Sequence, residues 1–195
     1  MSGTDQYMTI EGPAKGEFKE KGSKFLAFAY PVSSEEEIQG FLAELRRSFH
    51  DASHHCYAWR LGAEMDRYRV NDDGEPSGSA GNPIFGQIQS RNLTNVLVAV
   101  VRYFGGTLLG VGGLIRAYRE SASEALGNAR EVRKRVETEV RVRFGYEQMN
   151  SVMTVVKELG IGTKDQDFDM VCTMTLLVWD RLLDQAMKRL DLIED

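Results

Sequence analysis

The stretch "LTNVLVAVVRYFGGTLLGVGGLIRAYRES", residues 93–121, runs from an almost unbroken β-branched segment through a glycine-rich loop into a helix-like segment. "NVLVAVVRY" carries no polar alternation, the pattern of a central strand buried on both faces. "LIRAYRESASEALGNAR" has Leu114, Ala117, Tyr118 and Leu126 at helical spacing, with Gly127-Asn128 as its stop. A mixed α/β domain therefore surrounds this segment. Upstream, "EFKEKGSKFLAFAYPV" (17–32) reads as two strands about the Lys21-Gly22-Ser23-Lys24 turn. "SSEEEIQGFLAELRRSFH" (33–50) reads as a helix capped by Ser33 or Ser34. Its three first-turn glutamates suit the positive helix end, and Ile38, Phe41, Leu42 and Leu45 form its apolar stripe. "HHCYAWRLG" and "DRYRVND" are strand candidates joined by a turn at Gly62–Asp66. "NDDGEPSGSAGNPIFG" (71–86) is a first glycine-rich loop, with Pro83 placed to open a helix.

Beyond residue 129 the texture changes. "REVRKRVETEVRVRFGY" alternates charge with valine, as an exposed or edge strand does. A helix ("YEQMNSVMTVVKEL"), two strands (near 163–168 and at "MVCTMTLLVW") and a last helix ("DRLLDQAMKRL") follow. That β-α-β-β-α order is a ferredoxin-like arrangement. The expected fold class is α+β in two domains, residues 1–130 and 131–195.

Composition sets limits. The chain has 195 residues, 42% apolar and 27% charged, which is globular. Residues 1–128 hold thirteen basic and sixteen acidic side chains and the remainder eleven and thirteen, so neither part is basic overall. An anion site must then be local. Cys56 and Cys172 lie far apart, consistent with a reducing cytoplasm rather than a disulfide framework. No signal peptide opens the sequence, and its longest apolar run is too short to span a membrane. A cytoplasmic protein with no membrane partner is expected.

Glycine-rich approaches to helix N-termini let backbone N–H groups meet an anion. The candidate phosphate- or nucleic-acid-binding residues are Ser77, Gly78, Ser79 and Gly81 in the first loop and Gly105, Gly106, Thr107, Gly112 and Gly113 in the second. Arg102, Arg116 and Arg119 would add guanidinium forks. Neither loop fits the P-loop or dinucleotide fingerprint, and turns and close-packing points are the plainer reading. Asp73 and Glu75 are the acid/base or metal candidates of an alternative enzyme; such acids, Asp72 with them, are more often turn formers and helix-dipole partners. His50, His54, His55 and Cys56 do not make a metal site, because adjacent strand residues face opposite ways. No catalytic constellation, metal or cofactor is expected.

The segments "KGSKFLAFAYPV", "HHCYAWRLG", "DDGEPSGSAGNPI" and "LTNVLVAVVRYFGGTLLGVGGLIRAY" together resemble the IMPACT family, including its bacterial YigZ-like members, over residues 15–127. The matching positions are Asp73, Gly74, Glu75, Pro76, Gly78, Gly81 and Pro83, then Arg102, Tyr103, Phe104, Gly105, Gly106, Leu109, Gly110, Gly112, Gly113 and Arg116. The resemblance implies a first domain like the second domain of a small-subunit ribosomal protein. It implies a ferredoxin-like second domain resembling the end domains of elongation factor G. Both relatives work on RNA, so RNA or the ribosome is the expected partner. Eukaryotic family members regulate translation by interfering with activation of a kinase, and they carry an extra N-terminal interaction domain that this chain is expected to lack. Three functions stay open: a non-enzymatic RNA- or ribosome-associated protein with a role in translation regulation, an enzyme of phosphorylated or nucleotide substrates, and a protein-interaction module. The oligomeric state is not readable from the sequence.

Overall fold

A computed structural model describes residues 5–168 and 171–194, with side chains placed up to residue 191. The chain divides into two compact units, Tyr7–Lys134 and the residues from Arg135 onward with Asp5 and Gln6.

In the first unit, β1 (Gln6–Ile10) pairs with β7 (Glu131–Arg135) in a two-stranded sheet. The main sheet takes β2 (Ala14–Glu20), β3 (Ser23–Pro31), β4 (His54–Leu61), β5 (Arg67–Asn71) and β6 (Val96–Tyr103), in the order β2-β3-β6-β4-β5, with every pairing antiparallel. The β-branched run is β6, the central strand, whose residues Val96 to Arg102 are all buried. On one face lies α1 (Glu35–Ser48), packed through Ile38, Leu42 and Leu45 against Phe28, Tyr57, Trp59, Leu97, Ala99 and Val101. Ser34 caps α1 by accepting from Glu37 N, while the Glu37 carboxylate accepts from Ser33 N. On the other face lie α2 (Gly81–Ser90) and α3 (Gly110–Gly127), over Phe25, Ala27, Cys56, Ala58, Val98 and Val100. Alternate β6 residues thus feed two cores, as the two-residue strand period requires.

Two details depart from the sequence reading. α2 begins at Gly81, two residues before Pro83. The segment 130–146 is two strands in different sheets, β7 and β8 (Glu137–Gly145), interrupted at Val136.

The second unit runs β8, α4 (Met149–Leu159), β9 (Gly162–Phe168), β10 (Val171–Trp179) and α5 (Leu183–Glu194). Its antiparallel sheet has the order β8-β10-β9, with β8 at an edge. Cys172, Met174, Leu176 and Val178 alternate inward from β10 onto Val152, Val155, Val156, Ala186 and Leu190 of the two helices. No helix among the described residues is long and apolar enough to cross a membrane.

Candidate functional site

The first glycine loop is built around an acid of its own. Asp72 Oδ1 accepts from Ala80 N (3.1 Å) and Gly81 N (2.8 Å), and Oδ2 accepts from Gly78 N (2.8 Å). The α2 N-terminus therefore already holds an anion, the Asp72 carboxylate, which satisfies its orphan donors and meets its positive dipole end. Ser79 is fully buried and donates to Pro76 O at 2.6 Å. Of the candidates here, Gly78, Ser79 and Gly81 are thus engaged inside the loop, and Ser77 is exposed. Asp72→Ala is expected to cost about 1–2 kcal/mol, the range of a lost helix cap, seen as a lowered unfolding midpoint without a change in slope.

Asp73, the next residue, faces the start of β4. Its carboxylate accepts from His55 N (2.6 Å) and from Arg46 (3.1 Å), and its carbonyl meets His54 Nδ1 (2.8 Å). Partial burial opposes ionisation of this carboxyl, but the His55 N–H and the Arg46 guanidinium outweigh it and hold the group below the usual range. A depressed carboxyl pKa adds stability that is complete above its unfolded value and is lost as pH falls through the lower folded value. Asp73→Asn is therefore expected to lower stability at neutral pH and to flatten its loss below about pH 4, read from denaturation midpoints along a pH series.

Glu75 is buried within the Tyr7–Lys134 unit. Its side chain is 4% exposed and that of Arg102 6%, with Arg102 Nη1 donating to Glu75 Oε1 at 2.6 Å. Tyr118 OH donates to the same oxygen at 2.7 Å, and His54 Nε2 lies 3.8 Å from it. The Cys56 thiol lies 3.3 Å from Tyr118 OH and donates to Asp72 O at 3.1 Å. Burial pushes both the Cys56 thiol and the Tyr118 phenol well up, so both stay protonated at neutral pH. A protonated, fully buried thiol is no nucleophile. The Arg102 guanidinium sits between the rings of Phe25 (5.4 Å) and Phe104 (5.6 Å). The anion that Arg102 holds is Glu75. The two loops are thus tied together by a carboxylate of the first on an arginine and a tyrosine flanking the second.

Sequence reasoning marked Glu75 and Arg102 and placed Tyr118 inward, but did not join them. The signal lay in strand register, which sets His54 opposite Arg102 on β4 and β6. Among the described residues, no group of three His, Cys, Asp or Glu side chains is placed to hold a metal ion.

The second glycine loop differs from the first. Gly105 packs directly on the Gly22–Ser23 backbone and donates its N–H to Ser23 Oγ at 3.1 Å. Beyond it, Gly106 and Gly110 take positive φ. The loop enters α3 through Leu109 with no side-chain cap and no acid in the first turn. Thr107, Gly112 and Val111 are exposed and Leu108 is 84% exposed. Arg116 reaches Glu20 at 2.7 Å and Arg119 reaches Glu120 at 3.4 Å, both from exposed positions. The Arg119–Glu120 pair is exposed on both sides and weak, whereas Arg116, itself exposed, is held by a Glu20 side chain only 16% exposed. The α3 N-terminus is therefore open where the α2 N-terminus is filled.

Comparison with known proteins gives one consistent answer. The Impact N-terminal domain family matches residues 21–126. IMPACT family member YvyE of Bacillus subtilis is 34% identical over 152 residues, covering 78% of this chain and 70% of that protein. IMPACT family member YigZ of Escherichia coli is 36% identical over 134 residues, covering 68% of this chain and 66% of that protein. A crystal structure described as that of a hypothetical protein superposes with a TM-score of 0.75 at 26% identity, covering 95% of this chain and 91% of the other.

Proposed function

This chain belongs to the Impact N-terminal domain family, and from its membership and its second glycine loop we propose that it is a non-enzymatic binding protein for RNA, free or in the ribosome, acting in translation. The contact surface is Thr107, Gly112, Gly113 and Arg116, with Arg119 one turn further along α3. One observation carries this reading: among the described residues the α3 N-terminus has no side-chain cap and no acid in its first turn, and Gly110, Val111 and Gly112 are exposed there beside an exposed arginine. Such a terminus suits a phosphate, and phosphate contacts position a protein on RNA without reading its bases. The likenesses to a ribosomal-protein domain and to elongation factor G end domains belong to the same proposal. They are supported by the ferredoxin-like element order of the second unit and by the antiparallel sheet of the first.

Arg102 does not serve in this reading as a phosphate contact, since Glu75 neutralises it in the interior. The enzyme alternative loses Glu75 in the same way, because Arg102 holds it in the interior; Asp73 is partly exposed and pairs with Arg46 at 3.1 Å.

The test is binding of the protein to a single-stranded RNA and to ribosomes across a salt series. Log affinity is expected to fall linearly with log salt. Gly112→Asp places an acid in the first turn of α3, where an added Cβ meets nothing within 4 Å. It is expected to stabilise the fold by up to about 1 kcal/mol, through helix propensity and dipole, while weakening RNA binding about tenfold. Binding unchanged in Gly112→Asp, with folding intact, removes α3 from the contact.

A further inference from the structure

The second unit has one sheet face that its helices do not cover. Arg141 and Arg143 stand on edge strand β8, Thr175 and Thr173 opposite them on β10, and Asp165 and Asp167 beyond on edge strand β9. Directly opposed strand residues point to the same face. The register therefore lays two rows across it, Arg141–Thr175–Asp165 and Arg143–Thr173–Asp167. Arg141, Thr175, Thr173, Asp165 and Asp167 border one shallow hollow over this face. The four charged residues are exposed, and among the described residues none of them forms an ion pair. Across these two rows β8 is thus positive, β9 negative and β10 uncharged, while the next row along the same face, Glu139–Leu177, is crossed by the Lys164–Glu139 ion pair at 2.6 Å.

We propose that this face pairs with the same face of a second copy of the chain, about a two-fold axis running along β10. That axis carries each copy's β8 over the other copy's β9 without shifting the rows. Arg141 then meets the second copy's residue 165 and Arg143 its residue 167, giving four opposite-charge pairs. An axis across the strands would instead set arginine over arginine. Sheets stack about 10 Å apart, a gap that arginine opposite aspartate bridges and that two threonines leave open at the centre. The acidic edge argues against a polyanion as the occupant, since half of the face would repel it. A three-stranded face lies at the low end of specific interface sizes, so the dimer is weak and concentration-dependent.

Sedimentation equilibrium of the full chain up to millimolar concentration tests this, using Arg141→Glu/Arg143→Glu and Asp165→Lys/Asp167→Lys. These positions are exposed, and circular dichroism checks that each variant keeps its fold. Each variant alone is expected to dissociate at least about a hundredfold more readily than the natural chain, because like charges across an interface cost several kcal/mol. Mixing the two restores four attractive pairs and is expected to return association. A natural chain that stays monomeric overturns the proposal, as does a dimer indifferent to both variants or a mixture that does not associate. Loss of RNA binding in the arginine variant, with no effect on association, reassigns the face to RNA and also overturns it.

Discussion

Glu75→Ala is expected to destabilise the Tyr7–Lys134 unit by about 3–5 kcal/mol, the cost of leaving a buried charge without its partner. The substitution removes the carboxylate that Arg102 and Tyr118 share, at 2.6 and 2.7 Å, and water does not replace it at a side chain only 6% exposed. Arg102 Nε already lacks a hydrogen-bond partner, so the guanidinium has no reserve of contacts. The double variant Glu75→Leu/Arg102→Met is expected to recover part of that loss, because it removes the unpaired charge but still leaves the buried Tyr118 OH without its acceptor, at about 1–3 kcal/mol. Urea denaturation of the three proteins reads both effects. If Glu75→Ala is as stable as the natural chain, the pair does not tie the loops together.

Gly105→Ala is the second large effect. A Cβ there would overlap the backbone of Gly22 and Ser23, and backbone cannot turn aside as a side chain does. The expected loss is about 3 kcal/mol, the upper part of the range for overpacking, with the β2–β3 turn displaced. Gly106→Ala is the control one residue away. It meets nothing within 4 Å but has φ +81°, so it is expected to lose only the left-handed penalty of about 1–2 kcal/mol. Equal losses at the two positions would contradict a packing role for Gly105. This glycine pair thus meets two physical demands side by side, contact at one residue and conformation at the next.

Much of the fold was legible because local and tertiary signals agree. The almost unbroken β-branched run 95–103 reads as a central strand, and Ser33 or Ser34 with the three glutamates that follow reads as a helix start. The start of α2 was misplaced because its cap, Asp72, lies eight residues before Ala80, outside any local capping pattern. The segment 130–146 kept one alternation through Val136, so periodicity alone could not divide it between two sheets. At the site, both loops stood out by their glycines, but glycine does not tell which N–H groups are taken. Asp72 fills the first loop and, among the described residues, no side chain caps the second, a difference written in hydrogen bonds rather than composition. Arg102 drew the phosphate reading for the same reason: its partner in the structure, Glu75, is 27 residues away.

The central claim is that binding belongs to the open α3 N-terminus and that the Glu75–Arg102 pair is internal scaffolding. RNA affinity measured side by side for Gly112→Asp and Glu75→Leu/Arg102→Met, at one low salt concentration, tests it most directly. Weakened binding is expected in the first and natural affinity in the second, with both proteins folded. Natural affinity in Gly112→Asp and lost affinity in the folded double variant would contradict it and return the contact to Arg102.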